Sequence, residues 1–272
     1  MITSVGNNQV RQVIALQSKV KERRAQDLFV VEGPKMFREV PAERLVRVYM
    51  SESFYQKYQY DAQISVFIRQ CESGELKDAK GGSLLELVSD EVMARMSDTQ
   101  TPQGVICLVR QYHYRLEDLL QGTPLLMVLE NLQDPGNLGT ILRTAEGAGV
   151  TGIVLSKGSA ELYNPKVIRS TMGSIYRMPF IYTEDLQGTI RELQSRGVRM
   201  YAAHLKGTMN YTKPDYTGPS AFMIGNESKG LSDATAEMAD HYVRIPMKGQ
   251  VESLNAAVAA AVLMYQAAMS RE

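Results

Sequence analysis

The sequence predicts an α/β fold in which a mostly parallel sheet, covered by helices on both faces, fills the C-terminal part of the chain. From residue 125 onwards, short apolar runs typical of buried strands alternate with stretches of helical periodicity. The clearest run is residues 125–129 (LLMVL), an unbroken apolar segment of the kind expected for a parallel strand buried on both faces. Before residue 110, strands and helices also alternate, and they predict a smaller α/β unit.

The chain has 272 residues, a length that favours two domains. An amphipathic segment at residues 7–26 predicts a single opening helix. Further elements of this first part are strands expected at 28–33, 45–50, 65–68 and 105–109, and helices expected near 36–40 and 89–97. Residues 111–122 are polar and contain Gly122, so they predict a linker between a domain at 1–110 and a domain at 123–272.

The second part alternates more regularly. Its expected strands are 125–129, 152–155, 199–203, 220–224 and 242–245, and its expected helices are 138–147, 165–175, 185–196 and 233–238. The final stretch, residues 254–269, is apolar all round but too short to cross a bilayer. It therefore predicts a helix buried against the sheet, against a second subunit, or against both.

Charge and composition exclude several classes of protein. Thirty Lys and Arg residues balance thirty Asp and Glu residues, which argues against non-specific coating of polyanions. Residues 11–24 nevertheless hold five positive side chains against Glu22 alone: Arg11, Lys19, Lys21, Arg23 and Arg24. Charge alone leaves open whether this segment is a solvated helix face or a basic binding patch.

No signal peptide core and no uncharged apolar run of 18 residues occur, so we expect a cytoplasmic protein without a membrane span. Cys71 and Cys107 form no close pair and are expected to be reduced thiols. The three histidines, His113, His204 and His241, lack partners at metal-ligand spacing, and no metal is expected.

Three loops that follow expected strands are candidate sites, because ligands of open α/β sheets bind at the carboxyl ends of strands. The first, residues 131–149, has a turn at Asp134-Pro135-Gly136-Asn137 and then a helix that bears Arg143. The second and third are residues 225–230 (GNESKG) and 245–255 (IPMKGQVESLN). The glycine-rich dinucleotide and P-loop motifs and the G-x-S-x-G elbow are all absent.

Taken together, the three loops resemble the three motifs of the SpoU (TrmH-type) branch of the SPOUT RNA methyltransferases. Asn137 and Arg143, six residues apart, resemble the first motif, and Gly225-Asn226-Glu227 resembles the second. Ile245-Pro246-Met247 followed by Ser253-Leu254-Asn255 resembles the third. Residues 29–33 and 101–105 are similar to the family's N-terminal substrate-binding domain, which itself resembles small ribosomal RNA-binding proteins.

The resemblance implies an enzyme that uses S-adenosylmethionine to methylate a ribose 2′-hydroxyl of RNA. It also implies a deep trefoil knot in the C-terminal domain and a homodimer that packs the knot helices together. Cofactor contacts carried over from the family fall at Gly225, Ile245, Leu254 and Met247, with the loop after Ala203 as a further candidate.

For catalysis, the resemblance assigns the central role to Arg143. Arginine keeps its proton to above about pH 12, so a fork that grips a phosphate and stabilises the developing alkoxide is preferred here to a general base. Asn137 would orient Arg143 or the ribose, and Glu227 would pair with Arg143 or hold the target nucleotide. Asn255 and Ser253 would shape the cofactor and substrate loop, although either residue could instead cap the last helix.

The resemblance also places the positive residues of segment 11–24 in an RNA-binding domain. That extra domain favours ribosomal RNA, most of all 23S rRNA, as the substrate. A tRNA 2′-O-methyltransferase of the same family and a non-catalytic knotted RNA-binding protein acting in ribosome assembly remain the alternatives. The modified nucleotide is not specified by the sequence.

Overall fold

The computed structural model describes all 272 residues. The chain forms two compact units. The first contains Met1–Tyr112 together with Tyr163–Tyr176, and the second contains His113–Leu162 and Arg177–Glu272. This grouping follows contacts in space, and the division of the sequence at residues 110 and 122 stays a prediction.

The first unit contains a four-stranded sheet and seven α-helices. Its elements are α1 (Asn8–Ser18), α2 (Val20–Gln26), β1 (Leu28–Glu32), α3 (Pro34–Glu39), β2 (Leu45–Ser51), α4 (Glu52–Tyr58), α5 (Ile64–Glu72), β3 (Leu85–Val88), α6 (Asp90–Met96), β4 (Val105–Arg110) and, after residue 162, α8 (Pro165–Thr171). The strand order is β1-β4-β2-β3, with β4 antiparallel to both neighbours and β2 parallel to β3. Apolar residues of α1 and α6 pack in one buried cluster with residues of these strands.

Three expectations for this unit need correction. The opening segment is two helices rather than one, because Lys19 has an extended backbone (φ −124°, ψ 113°). Residues 65–68 belong to α5 and not to a strand, since Ile64, Ile68 and Cys71 are buried at the spacing of one helix face. The helix expected at 165–175 ends at Thr171, where Met172 turns into the left-handed region at φ 51°.

The second unit is built on a seven-stranded, fully parallel sheet, which confirms the predicted α/β class. Its elements are β5 (Leu125–Leu129), α7 (Pro135–Gly147), β6 (Gly152–Ser156), β7 (Phe180–Thr183), α9 (Leu186–Ser195), β8 (Arg199–Ala203), β9 (Met209–Asn210), β10 (Ser220–Ile224), α10 (Asp233–Ala236), β11 (His241–Arg244) and α11 (Ala256–Met269). The strand order is β7-β6-β5-β10-β8-β11-β9. Strand β10, formed late in the chain, therefore lies between β5 and β8.

The last helix, α11, packs against α7 and β10. The predicted burial against the sheet is confirmed for one of its faces, where Ala260, Leu263 and Met264 are fully buried. Just beyond it, Arg271 donates hydrogen bonds to backbone carbonyls. These acceptors belong to Thr123, Pro124, Tyr216 and Gly218, so the chain end is fastened to the segments that precede β5 and β10.

Candidate active site

The candidate site lies at the carboxyl edge of the parallel sheet. Strands β5, β10, β8 and β11 are neighbours in that order, so the loops that follow them meet at one edge. The loops after β8, β10 and β11 enclose a cavity of about 280 Å³, which we call the C-terminal cavity. Its lining includes all five positions expected to contact the cofactor, namely Ala203, Gly225, Ile245, Met247 and Leu254. Glu227 and Ser253 line it as well.

Two glycines, Gly225 and Gly230, contribute backbone atoms to this lining. Asn226 and Gly230 exchange two backbone hydrogen bonds, at 3.0 and 2.8 Å, which close the loop after β10 into a tight turn. A Cβ added at Gly225 would lie 2.0 Å from the carbonyl carbon of Gly230 and 2.1 Å from the amide nitrogen of Leu231. Only glycine fits at this position, because the backbone of Gly230 and Leu231 occupies the space that a Cβ would need.

Glu227 fastens the loop after β10 to the loop after β5. Its carboxylate accepts hydrogen bonds from the backbone N–H groups of Gln133 (3.1 Å) and Asp134 (2.8 Å) and from Nδ2 of Asn137 (3.2 Å). Burial by itself would raise the pKa of Glu227, but the backbone hydrogen bonds from Asp134, Glu227 itself and Gln133, with that from Asn137, outweigh it and lower the pKa. Glu227 is therefore a carboxylate at neutral pH.

Asn137 links this pair to the third loop. Asn255 Nδ2 donates to Asn137 Oδ1 at 2.9 Å, while Asn255 Oδ1 accepts from the backbone N–H groups of Ala257 and Val258. Asn255 is thus the N-cap of α11, and the expectation that Ser253 could cap this helix is wrong. The structure joins Glu227, Asn137 and Asn255, one residue from each predicted motif, in a single hydrogen-bonded network.

Arg143 is not part of that network. It lies on α7, six residues after Asn137, where its side chain is exposed and makes no hydrogen bond or ion pair. It does not line the C-terminal cavity. Its guanidinium N–H groups are consequently free to bind an anionic group that approaches α7 from solvent.

Sequence reasoning missed Glu130, which lies at the end of β5 and is only 8% exposed. Its carboxylate accepts hydrogen bonds from the Ser232 backbone N–H, the Ser232 hydroxyl and the Thr235 hydroxyl, each at 2.7 Å. Glu130 thereby anchors the far end of the loop that contains Gly225 and Glu227. A charged residue directly after five apolar ones was the signal that could have revealed it.

The five positive residues expected to bind RNA divide into two groups. Arg11, Lys19, Lys21 and Arg24 are exposed on α1 and α2 or at their junction. Arg23 is only 2% exposed, and its Nη1 donates to the carbonyls of Leu16 and Gln17. Because those bonds hold Arg23 inside the unit, including it in an RNA surface was wrong.

Three further features concern metals, membranes and thiols. The chain contains no cluster of three or more His, Cys, Asp and Glu side chains suited to bind a metal ion. None of its helices is both long and apolar enough to span a membrane. Both cysteines are free and buried, and burial raises the pKa of Cys71 to about 11.

Comparison with known proteins agrees with this geometry. Residues 124–265 match the SpoU rRNA Methylase family, and residues 7–107 match an MRM3-like substrate binding domain. Among curated relatives, the chain is 30% identical over 97% of both sequences to the 23S rRNA (guanosine(2553)-2′-O)-methyltransferase RlmP of Bacillus subtilis (strain 168). It is 33% identical over 202 residues to the 23S rRNA (guanosine-2′-O-)-methyltransferase RlmB of Ralstonia nicotianae, covering 72% of this chain and 81% of that protein.

Solved structures show the same fold. The AdoMet-bound rRNA methyltransferase from Sinorhizobium meliloti superposes with a TM-score of 0.82 at 29% sequence identity. The match covers 98% of this chain and 96% of that one, so it includes both units.

Proposed function

Because the chain belongs to the SpoU rRNA methylase family, we propose that it methylates a ribose 2′-hydroxyl of ribosomal RNA with S-adenosylmethionine as the methyl donor. The observation that supports this most strongly is the network of Glu227, Asn137 and Asn255, which ties three loops together beside the C-terminal cavity. One residue of each motif takes part, and Glu227 also lines the cavity. The 23S rRNA is the proposed substrate because RlmP and RlmB act on it.

The walls of the C-terminal cavity have a chemistry that suits S-adenosylmethionine. The backbone of Gly230 and Leu231 packs directly against Gly225, and the apolar side chains of Ile245, Met247 and Leu254 suit an uncharged ring. When bound there, the cofactor supplies an electrophilic sulfonium methyl group. Ala203 and the loop after it complete the proposed contacts.

Catalysis in this proposal depends on placing the 2′-oxygen and on charge. Arg143 would grip a phosphate next to the target ribose through two parallel N–H groups and stabilise the alkoxide that develops as the hydroxyl loses its proton. The phosphate held by Arg143, rather than Arg143 itself, would help to accept that proton. Its exposure and lack of partners within the chain support this role.

Asn137 and Glu227 have positioning roles in the same proposal. Asn137 accepts from Asn255 and donates to Glu227, so its side-chain orientation is determined from two sides. It would thereby hold the first turn of α7, and with it Arg143, in a defined direction. Ser253 and Asn255 would shape the loop between cofactor and substrate.

We also propose that the protein forms a homodimer and that its second unit contains a trefoil knot. The outer side of α11 has partly exposed apolar side chains at Val258, Tyr265 and Met269, as expected of a helix that meets a second copy. The position of β10 between two strands formed earlier, and the packing of α11 on α7, support a threaded C-terminal segment. A ribosomal RNA substrate would place the protein in the cytoplasm.

The test is a methyl-transfer assay with purified full-length protein and labelled S-adenosylmethionine. Unmodified 23S rRNA, 16S rRNA and tRNA are offered separately, and ribose 2′-O-methylation is mapped in any RNA that becomes labelled. Labelled 23S rRNA is the expected result, whereas labelled tRNA would establish the tRNA alternative. Binding of RNA with no transfer and no cofactor binding would establish the non-catalytic alternative.

Within that assay, Arg143→Ala is expected to lower transfer by at least about a hundredfold, since it removes a donor aimed at developing charge. Binding of S-adenosylmethionine, measured by calorimetry, should persist. Arg191→Ala is the matched control, because Arg191 is another exposed arginine without a partner, on α9 of the same unit. Near-normal turnover of Arg143→Ala would refute its central role.

A further inference from the structure

The first unit contains a second cavity, of about 510 Å³, that the proposed methyl transfer does not use. We call it the α4 cavity, because Ser53, Phe54, Lys57 and Tyr58 of α4 line it. The other lining residues are Pro34, Ser51, Asp90, Met93, Pro102, Gln103 and Gly104. Its volume lies in the range of roughly 300–1,000 Å³ in which proteins bind organic ligands.

Aromatic rings form one part of the α4 cavity. Tyr58 stacks on Phe54, with ring centroids 4.4 Å apart and planes inclined by 28°. Phe54 is only 4% exposed and supports the half-buried Tyr58 ring from within the unit. The Lys57 ammonium lies 5.2 Å from the centroid of the Tyr58 ring. The Arg38 guanidinium also lies over this ring, 6.0 Å from its centroid, so two positive side chains lie against Tyr58.

A carboxylate forms another part. Asp90 Oδ1 accepts a hydrogen bond of 2.6 Å from the Ser53 hydroxyl, which in turn lies 3.1 Å from the Ser51 hydroxyl. Hydrogen bonds from Ser53 and Ser51 lower the pKa of Asp90. Asp90 is therefore an ionised acceptor at neutral pH, and its position is determined by the two serines.

The loop that completes the lining is held in place by Glu32. The Glu32 carboxylate accepts from the hydroxyls of Ser97 (2.6 Å) and Thr99 (2.9 Å), and its Oε1 also accepts from the Gln103 backbone N–H (3.4 Å). At Gly104 (φ +79°) an added Cβ would lie 2.7 Å from Cβ of Phe54. The cavity is consequently preformed in the folded chain, which lowers the entropic cost of filling it.

We propose that the α4 cavity takes one unpaired base of the RNA substrate, stacked on Tyr58 and donating a base N–H group to Asp90, with Lys57 beside its phosphate. This inference rests on the proposed function for its assumption that RNA is the substrate. The proposed methyl-transfer site itself does not require a base to bind in the α4 cavity.

The chemistry of the cavity favours an unpaired base over duplex RNA. Bases in an RNA duplex are stacked on one another and cannot reach the recessed ring of Tyr58. Unpaired bases in loops and bulges can reach it. Every base has a π-face for Tyr58 and at least one N–H group for a carboxylate. Exposed Lys35, next to the lining residue Pro34, adds positive charge for the backbone of the same nucleotide strand.

The experiment measures binding of full-length protein to an unmodified 23S rRNA transcript, by filter binding, together with KM and kcat for methyl transfer. Tyr58→Ala is expected to weaken binding by about ten- to a hundredfold through loss of stacking. KM for RNA should rise accordingly while kcat at saturating RNA stays within about twofold. Lys57→Gln, a change at an exposed side chain, is expected to weaken binding by several-fold.

Tyr60→Ala is the matched control, since Tyr60 is 88% exposed, lies two residues from Tyr58 and does not line the cavity. Tyr58→Phe retains the ring and should recover most of the affinity. If Tyr58→Ala and Lys57→Gln both bind RNA as Tyr60→Ala does, the inference is overturned. That result would leave methyl transfer by the wild type intact, and a wild type that binds RNA without methylating it would refute the proposed function alone.

Discussion

The C-terminal cavity and the α4 cavity differ in what forms their walls. In the C-terminal cavity the tight turn after Gly225 presents backbone, and the side chains around it are largely apolar. In the α4 cavity, polar and aromatic side chains of α4 and Asp90 face the space. A cavity wall formed by backbone recognises a ligand by shape and has no room for an added Cβ. A cavity wall formed by side chains can change its ligand preference when one of those side chains is substituted. This difference fits the two proposed ligands. S-adenosylmethionine has one constant structure, whereas the nucleotide proposed for the α4 cavity varies between RNA substrates.

The change that tests this contrast most severely is Gly225→Ala. The new Cβ would lie about 2 Å from backbone atoms of Gly230 and Leu231, which cannot rotate away as a side chain would. We expect affinity for S-adenosylmethionine to fall by at least about a hundredfold and the free energy of unfolding to fall by roughly 1–3 kcal/mol. Calorimetry and urea denaturation measure the two effects.

Gly218→Ala is the control for Gly225→Ala. Gly218 precedes the same strand, β10, and an added Cβ there would meet nothing within 4 Å. Its cofactor affinity and stability should match those of the wild type. Normal cofactor binding by Gly225→Ala would mean that the backbone turn is not a wall of the ligand site.

A smaller effect is expected from Glu227→Gln, which tests whether the carboxylate is needed to join the loops. A glutamine offers one acceptor oxygen and would direct its NH₂ group at a backbone N–H of Gln133 or Asp134. We expect methyl transfer to fall about tenfold. The free energy of unfolding should fall by at most about 1 kcal/mol, because the carboxylate is largely exposed to solvent.

The same variant has a predicted pH signature. The pKa of Glu227 is below its ordinary value of 4.5, so its stabilising effect is complete above that value and is lost as pH falls through the folded-state pKa. As pH falls below about 4.5, the wild type should lose more stability than Glu227→Gln. Parallel stability curves for the two proteins would show that this carboxylate does not couple the loops to pH.

The smallest effect is expected from replacing Arg11, Lys19, Lys21 and Arg24 together by glutamine. These exposed residues border neither cavity, so their expected part in RNA binding is ionic interaction with phosphates. Every phosphate interaction removed should reduce the slope of log affinity against log salt by roughly 0.7 to 0.9, with little change in kcat. Filter binding to 23S rRNA at several salt concentrations measures this, and an unchanged slope would identify these residues as a solvated helix face.

Elements with a strong local pattern were predictable from the sequence. The expected strand at 125–129 coincides with β5, because an unbroken apolar run suits a strand buried on both faces. The strand expected at 65–68 failed because a short apolar run does not distinguish a strand from a buried helix face, and Ile64 and Ile68 belong to the latter. Strand β9, with two residues, has no pattern to detect.

The residues of the candidate site that belong to the three motifs were predictable from the sequence. Spacing identified Asn137, Glu227 and Asn255 but not that they bond to one another, since such hydrogen bonds depend on the order of strands in the sheet. The charge pattern identified Arg23 as one of five positive residues but could not predict that it is buried. Its hydrogen bond to the carbonyl of Leu16 forms only when the two helices are packed together. The α4 cavity combines separate segments of the first unit, and no local pattern indicates it.

The hydrogen bond between Asn255 and Asn137 spans 118 positions of the chain, and Arg271 secures the same final helix one residue before the chain ends. A ribosome synthesises the chain from its N-terminus, so the first unit can fold while these last residues are still missing. The network of Glu227, Asn137 and Asn255 is therefore complete only after Asn255 and α11 have been synthesised and have packed. A truncated chain that lacks Asn255 and α11 would retain the residues of the first unit but would lose the hydrogen bond that joins the third loop to Asn137.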